Sequence, residues 1–176
     1  MKANLQKQLE VLLPEGFTER GATLNDLGEA IKLMNVWSQN VLGEDEILDA
    51  DELLNEMKIP GFEPEDDLRV VFAPNGEMVG YIEVWTTSKP PVHPWIWGRV
   101  HPEYEGLGIG TWLMHWAEKR ALRELVNIPE ELRLASRTGI QSVATGSMKL
   151  FENLGYERIR TSYRMKIEMD APVPEP

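Results

Sequence analysis

The spacing of apolar residues along the chain predicts four helices. In the first, apolar side chains recur every three or four positions, the period of one helix face, at Leu27, Ile31, Met34, Trp37 and Val41. Thr23 followed by Asp26 is typical of a helix start, and Gly43 of a helix end. The four helices are predicted at about residues 24–42, 45–57, 109–125 and 140–154.

Alternating apolar and polar residues predict seven strands, at about residues 17–23, 68–73, 78–86, 93–100, 132–136, 156–160 and 163–169. Pro74-Asn75-Gly76 joins the second and third strands as a hairpin turn. The order of elements is β-α-α-β-β-β-α-β-α-β-β. It indicates a mixed α/β domain with antiparallel strands early in the chain and βα units in the middle.

The composition is that of one globular domain, and it limits the possible partners. The 176 residues suffice for an α/β domain, and the lack of cysteine excludes disulfides, thiolate metal sites and a cysteine nucleophile. No apolar run approaches the roughly 18 residues of a membrane-spanning helix. Residues 1–10 lack the apolar segment of an export signal, so we expect a cytoplasmic protein. The net charge of −11 argues against nucleic acids and anionic membranes as partners.

The stretch from Arg99 to Thr111 carries the strongest chemical signal. A predicted strand ends here, three glycines follow at alternate positions (Gly106, Gly108, Gly110), and a predicted helix begins. Backbone N–H groups at a helix start favour a phosphate or another anion. The glycine spacing excludes both the dinucleotide fingerprint and the P-loop. The alternative is a glycine turn that only lets the helix pack closely on the strand.

These motifs and the order of elements resemble the GCN5-related N-acetyltransferase (GNAT) superfamily. Glu105-Gly-Leu-Gly108-Ile-Gly110 stands at the family's Arg/Gln-x-x-Gly-x-Gly/Ala signature, between strand four and the following helix. Val100-His-Pro-Glu-Tyr104 precedes it, and Leu150-Phe-Glu-Asn-Leu-Gly-Tyr156 is a second, weaker match. The resemblance covers residues 17–169 and leaves an N-terminal extension, 1–16, and a Pro-rich tail or truncated linker, 170–176.

The resemblance implies acetyl-CoA as acyl donor, bound between splayed strands four and five. Its pyrophosphate would lie against the glycine turn, and its pantetheine arm would pair with the end of strand four. An amine would attack the thioester directly, without a covalent enzyme intermediate. The residues that the resemblance assigns to CoA are Val100, Glu105, Gly106, Leu107, Gly108, Ile109, Gly110 and Thr111.

Three positions depart from the family pattern. Glu105 replaces an Arg or Gln, and a carboxylate repels a pyrophosphate unless it points away. Phe151 replaces a tyrosine that often protonates the leaving thiolate, so Tyr156, Tyr163 or water would have to serve. Ala144 replaces an Asn that often contacts CoA. The alternative function is therefore a degenerate acyl-CoA-binding domain without catalysis, such as the N-terminal half of a tandem protein.

Glu83 is the candidate general base, because alternation places it on one strand face with Tyr81 and Trp85. A carboxylate among aromatic rings has a raised pKa. The alternatives are that this strand face is exposed to solvent or that Glu83 forms a structural salt bridge. We expect His101 to be solvated rather than catalytic. No spacing of histidines or acids predicts a metal site.

The negative charge is concentrated between residues 44 and 67. The segment contains eleven acidic residues against one basic residue, Lys58, which gives −10. In this fold the segment forms one wall of the acceptor groove, so a cationic small molecule or peptide amine is the expected acceptor. The alternative is a solvated helix face that aids solubility. A homodimer is common in the family.

Overall fold

The computed structural model describes residues 11–44, 50–124, 128–129, 131–132, 134–163 and 165. Within these residues, the centre is a five-stranded sheet whose strands lie side by side in chain order. Neighbours from β1 to β4 are antiparallel, whereas β4 and β5 are parallel. The predicted mixed, mostly antiparallel sheet is confirmed. The strands are β1 (Thr18–Gly21), β2 (Leu68–Phe72), β3 (Met78–Trp85), β4 (Trp95–Val100) and β5 (Arg137–Thr138).

In the described residues, five α-helices flank this sheet. Asp26 stabilises the entry to the first helix, because its carboxylate accepts the Thr23 N–H at 2.7 Å and the Thr23 hydroxyl at 3.0 Å. Gly43 ends the same helix in the left-handed region, at φ +74°. The helices are α1 (Leu27–Leu42), α2 (Ala50–Glu56), α3 (Pro64–Asp67), α4 (Ile109–Glu124) and α5 (Thr145–Asn153).

Each face of the sheet has its own apolar core. Along β3, Tyr81 belongs to the core under α1 and Ile82 to the core under α4, as strand alternation requires. The core under α1 includes Ala30, Leu33, Met34, Leu68 and Val70. The core under α4 includes Val71, Val84, Ile96, Leu113 and Ala117.

Helix α4 lies close to β3 because Gly80 has no side chain. A Cβ atom at this position would lie 3.1 Å from Val71 Cβ and 3.2 Å from side-chain carbons of Ile109 and Leu113. Since protein interiors are close-packed, a larger residue would push the helix away from the sheet. The start of α4 is therefore fixed against the middle of the sheet.

Two predictions differ from the structure: the loop after the second helix and the fifth strand. The helix predicted over 45–57 is present from Ala50 to Glu56, and residues 45–49 lie outside the described residues. The predicted loop after this helix contains α3. A strand is expected at 132–136, but the observed strand, β5, is short and lies just after this range, at 137–138. Its preceding residues face Val92 and Pro94, in a proline-rich stretch that offers few N–H donors for regular pairing.

The C-terminal predictions also need correction. The helix predicted from residue 140 begins at Thr145, because Val143 is exposed rather than part of the buried stripe. The residues of the strand predicted at 156–160 form no ladder with any described strand, and Ile159 is 79% exposed, but the predicted pairing itself stays a prediction. Most of its predicted partner, 163–169, lies outside the described residues, as do residues 1–10 and 170–176.

Candidate active site

The glycine turn joins β4 to α4 and exposes its backbone. Gly106 and Gly108 have φ angles of +78° and +86°, a region that residues with side chains rarely adopt. Among the described residues, no atom beyond the chain neighbours lies within 4 Å of a Cβ built on either glycine. Trp112 N–H donates to the Gly108 carbonyl oxygen at 2.9 Å, so the helix starts here. The first amides of α4 lack helical acceptors and can bind an anion.

Beside this turn, β4 continues beyond its pairing with β5. The Pro94 carbonyl accepts the N–H of Arg137 in β5, and alternate residues direct their backbone groups to the same edge. The parallel ladder ends at Ile96, whereas β4 runs on to Val100. In the described part of the chain, the backbone groups of Gly98 and Val100 therefore face a gap between β4 and β5. An extended molecule with amide groups can pair with such an edge.

His101 and Tyr104 hold the turn in place. His101 Nδ1 accepts the Glu103 N–H at 3.2 Å, and its Nε2 lies 3.7 Å from Glu77 Oε1. The Tyr104 hydroxyl donates to Glu77 Oε2 at 3.2 Å, and its ring lies edge-on to the His101 ring. His101 is buried, so the expectation that it is solvated is wrong. Its contacts support the turn that precedes the glycines.

The Glu105 carboxylate is directed at the start of α5. Its Oε2 lies 3.4 Å from the position that a Cβ would take at Gly146, in the first turn of that helix. A helix start stabilises a nearby negative charge. Gly110 brings the two helices together, since a Cβ there would lie 3.1 Å from Leu150 Cδ2. The carboxylate thus lies beside the start of α5.

Glu83 lies half-buried in the middle of β3, on the α1 face. Its Oε2 accepts the Tyr81 hydroxyl at 2.8 Å, and Trp85 also donates a hydrogen bond to it. Burial raises the pKa of Glu83, and the hydrogen bonds from Trp85 and Tyr81 only partly oppose this rise. Phe62 stacks on Trp85 with ring centres 4.0 Å apart, which keeps the carboxylate among aromatic rings. A carboxylate with a raised pKa is a stronger base than a solvated one, which suits a general base.

The candidate proton donors have different surroundings. Phe151 is half-buried against the core under α4, with its ring 5.8 Å from that of Tyr156. Burial, and then the neighbouring Glu118 carboxylate, raise the pKa of Tyr156. Tyr163 is 88% exposed, and Ala144 is buried just before α5. Of the two tyrosines, only Tyr156 is enclosed.

One acid of the negatively charged segment is not available to a ligand. Asp67 is 2% exposed and pairs with Arg120 of α4 at 2.5 Å. Its Oδ2 also accepts the Glu63 N–H at 2.8 Å. In contrast, Asp51, Glu52 and Glu56 of α2 are exposed to solvent. Glu44, Glu63, Glu65 and Asp66 are exposed as well, so Asp67 is the one acid of the described part of this segment that is buried.

Arg99 is a feature that the sequence analysis did not single out as functional. Its guanidinium carbon lies 4.0 Å from the centre of the Trp37 ring and 4.1 Å from that of Trp97. Only the alternation of β4 could have indicated that Arg99 and Trp97 share a face. The contribution of Trp37, from α1, depends on the tertiary fold.

The described residues contain no group of three histidine or acidic side chains that could hold a metal ion. None of the described helices is both long enough and apolar enough to span a membrane.

The fold and the glycine turn are shared with a known family. The family model of the acetyltransferase (GNAT) family matches residues 32–156, more than half of the chain. The chain belongs to the GNAT family.

Relatives and solved structures agree with this membership. Bacillus subtilis (strain 168) S-alkylcysteine N-acetyltransferase is 27% identical over 115 residues, which are 62% of this chain and 64% of that enzyme. A GCN5-related N-acetyltransferase from Sphaerobacter thermophilus is 27% identical with a TM-score of 0.74, over 83% of this chain and 45% of that one. The chain thus spans less than two thirds of each. Salmonella typhimurium yncA, solved with its cofactor acetyl-CoA, shares the fold at 20% identity and TM-score 0.60, over 81% and 80% of the chains.

Proposed function

We propose that this protein is an N-acetyltransferase that moves an acetyl group from acetyl-CoA to the amine of a small molecule or peptide. The observation that carries the proposal is the glycine turn at the start of α4, next to the backbone groups of β4 that face the gap. The turn suits a pyrophosphate, and the strand edge suits the amides of a pantetheine arm. Family membership supports the same function.

The residues present fit acetyl-CoA. Gly106 and Gly108 leave the turn open, and the Glu105 carboxylate points to α5, so Glu105 contributes through its backbone. The start of α5 partly offsets the negative charge of Glu105, which otherwise repels a pyrophosphate. The proposed binding residues are Val100, Glu105, Gly106, Leu107, Gly108, Ile109, Gly110 and Thr111.

The proposed reaction is a direct transfer. Bound acetyl-CoA supplies a thioester carbonyl, and a backbone N–H at the β4 edge polarises its oxygen. The amine nitrogen forms a C–N bond as the C–S bond breaks. Glu83 accepts the proton that the nitrogen loses, and the CoA thiolate takes a proton from water or from an enclosed group such as Tyr156.

The acceptor is proposed as a small amine. The B. subtilis relative is named for S-alkylcysteine, which supports an amino compound of low molecular weight. The exposed acids of α2 support electrostatic steering of a cationic amine. A homodimer, expected from the family resemblance, is measurable by light scattering.

Calorimetry with acetyl-CoA and a thiol-release assay over an amine panel test the proposal together. We expect binding heat, CoA release that depends on an amine, and loss of binding in Gly108→Trp. Gly28→Trp is the matched control, because no described atom lies within 4 Å of a Cβ at this α1 position. Normal CoA binding by Gly108→Trp would reject the assigned turn.

A second candidate is an acyl-CoA-binding domain without catalysis. Phe151 favours it, since phenylalanine cannot protonate a thiolate, and the hydroxyl of Tyr156 is buried. Binding heat without thiol release from any amine would support this second function. Neither heat nor a thermal shift at millimolar acetyl-CoA would reject both.

A further inference from the structure

The Glu83 carboxylate is held by hydrogen bonds from its own strand. Tyr81 and Trp85 flank it on the same face of β3, because alternate residues of a strand point to one side of the sheet. The Tyr81 hydroxyl donates to Glu83 Oε2 at 2.8 Å, and Trp85 donates a second hydrogen bond to the carboxylate. An ionised carboxylate has about four acceptor sites, so two hydrogen bonds leave room for the proton of an amine.

Both donors are themselves fixed by packing against the core under α1. Tyr81 is 1% exposed, and its ring lies edge-on to that of Trp97, with ring centres 6.0 Å apart. Phe62 is buried in the same core and stacks on the Trp85 ring, with 16° between the ring planes. Since protein interiors are close-packed, the hydroxyl and the indole N–H favour one orientation of the carboxylate.

The Tyr81 hydroxyl stays protonated while Glu83 titrates. Burial, and then the charge of Glu83, raise the pKa of Tyr81 well above its usual value. Burial also raises the pKa of Glu83, and the hydrogen bonds from Trp85 and Tyr81 oppose that rise. Among the charged groups, Glu56 of α2 adds to the rise and Arg99 of β4 opposes it. A change at Tyr81 leaves both of these charged groups in place.

We propose that Tyr81, together with Trp85, is a positioning residue for the acetyl transfer, because its hydroxyl orients the Glu83 carboxylate towards the acceptor amine. This inference rests on the proposed acetyltransferase function. The amine proton moves to Glu83, and Tyr81 keeps its own proton throughout. The alternative role, in which the bond only satisfies two buried polar groups, predicts lower stability with an unchanged pH dependence of the rate.

Tyr81→Phe tests the inference, because it removes the hydroxyl and keeps the ring. Carbon-13 NMR follows the titration of the Glu83 carboxyl, assigned with Glu83→Gln, and thiol release gives the pH dependence of kcat with the amine that releases CoA fastest. We expect both titrations to move up by at least about one pH unit, the size of a lost hydrogen bond to a charged group. On the alkaline plateau kcat falls about 10- to 100-fold, whereas KM for acetyl-CoA is unchanged, as expected for a misdirected base.

Tyr104→Phe is the matched control. It removes the same type of hydrogen bond, from a tyrosine hydroxyl to the carboxylate of Glu77, which precedes β3. We expect the Glu83 carboxyl and the acidic limb of the rate profile to titrate at the same pH as in the wild type. An unchanged carboxyl titration in Tyr81→Phe would overturn the inference, and so would a shifted carboxyl titration with an unchanged rate profile.

Trp85→Phe decides if Tyr81→Phe does not fold, as judged by circular dichroism. Trp85 is half-buried, and phenylalanine keeps a ring for Phe62 to stack on while the indole N–H is lost. The same upward shift supports the inference, and its absence from either titration overturns it. Failure of the proposed function is a different result, since the wild type then releases no CoA with any amine. Release of CoA by the wild type with unshifted titrations in the variant rejects the inference alone.

Discussion

The buried pair between Asp67 and Arg120 allows a quantitative prediction. Arg120→Met removes the guanidinium and leaves a carboxylate that is 2% exposed. Breaking a buried pair in this way costs about 3–5 kcal/mol, because the remaining charge is desolvated. For a chain of this length each kcal/mol corresponds to about 2–4 °C, so Tm falls by about 6–20 °C. Urea unfolding and calorimetric scans measure both quantities.

The sign of the pH dependence tests the cause of this loss. Burial raises the pKa of Asp67, and Arg120 opposes the rise, so the variant's folded state binds a proton more readily than its unfolded state. The loss in free energy of unfolding is therefore largest at neutral pH and becomes smaller towards pH 4. Arg123→Met, at an exposed position of the same helix, should cost less than about 0.5 kcal/mol. A loss in free energy of unfolding below about 1 kcal/mol for Arg120→Met, or a loss that does not depend on pH, would refute the reasoning.

Three other outcomes are expected. Glu83→Gln lowers kcat at least about 100-fold, and it removes the fall of the wild-type rate as pH drops through the raised pKa of Glu83; an unchanged pH profile contradicts its role as base. The Arg20 guanidinium holds the pKa of Asp26 at about 2. The stabilisation of the folded state by this ion pair is therefore complete above about pH 4 and is lost between pH 4 and 2. Because Arg20 is half exposed, Asp26→Asn should cost about 1 kcal/mol in urea unfolding at pH 7, and no loss would argue against the pair. For a cationic acceptor, KM rises with ionic strength if the α2 acids steer it, whereas a salt-independent KM rules steering out.

Local patterns predicted the parts of the fold that local physics controls. The turn at Pro74–Gly76, the alternation that puts Tyr81 and Glu83 on one face, and the helix from Ile109 all follow from short-range sequence. The glycine spacing after Val100 also predicts the position of the turn. These features need no information about distant residues.

The remaining features depend on contacts between distant segments. Trp37 reaches Arg99 from another element, and Asp67 of α3 meets Arg120 of α4, so neither pair leaves a periodic signal. The direction of the Glu105 carboxylate depends on Gly146 in the same way. The extent of β5 is set by prolines in its partner rather than by its own alternation.

The end of β4 has a consequence for self-association. An extended strand whose backbone groups face a gap is a template for a strand of another molecule, which is a recognised route to aggregation. At Gly98 and Val100, a substrate and a foreign strand would compete for the same hydrogen-bonding groups. A ligand that pairs there stabilises the native state by mass action and at the same time blocks that template. Storage with the ligand should therefore slow the formation of aggregates more than its effect on Tm alone accounts for.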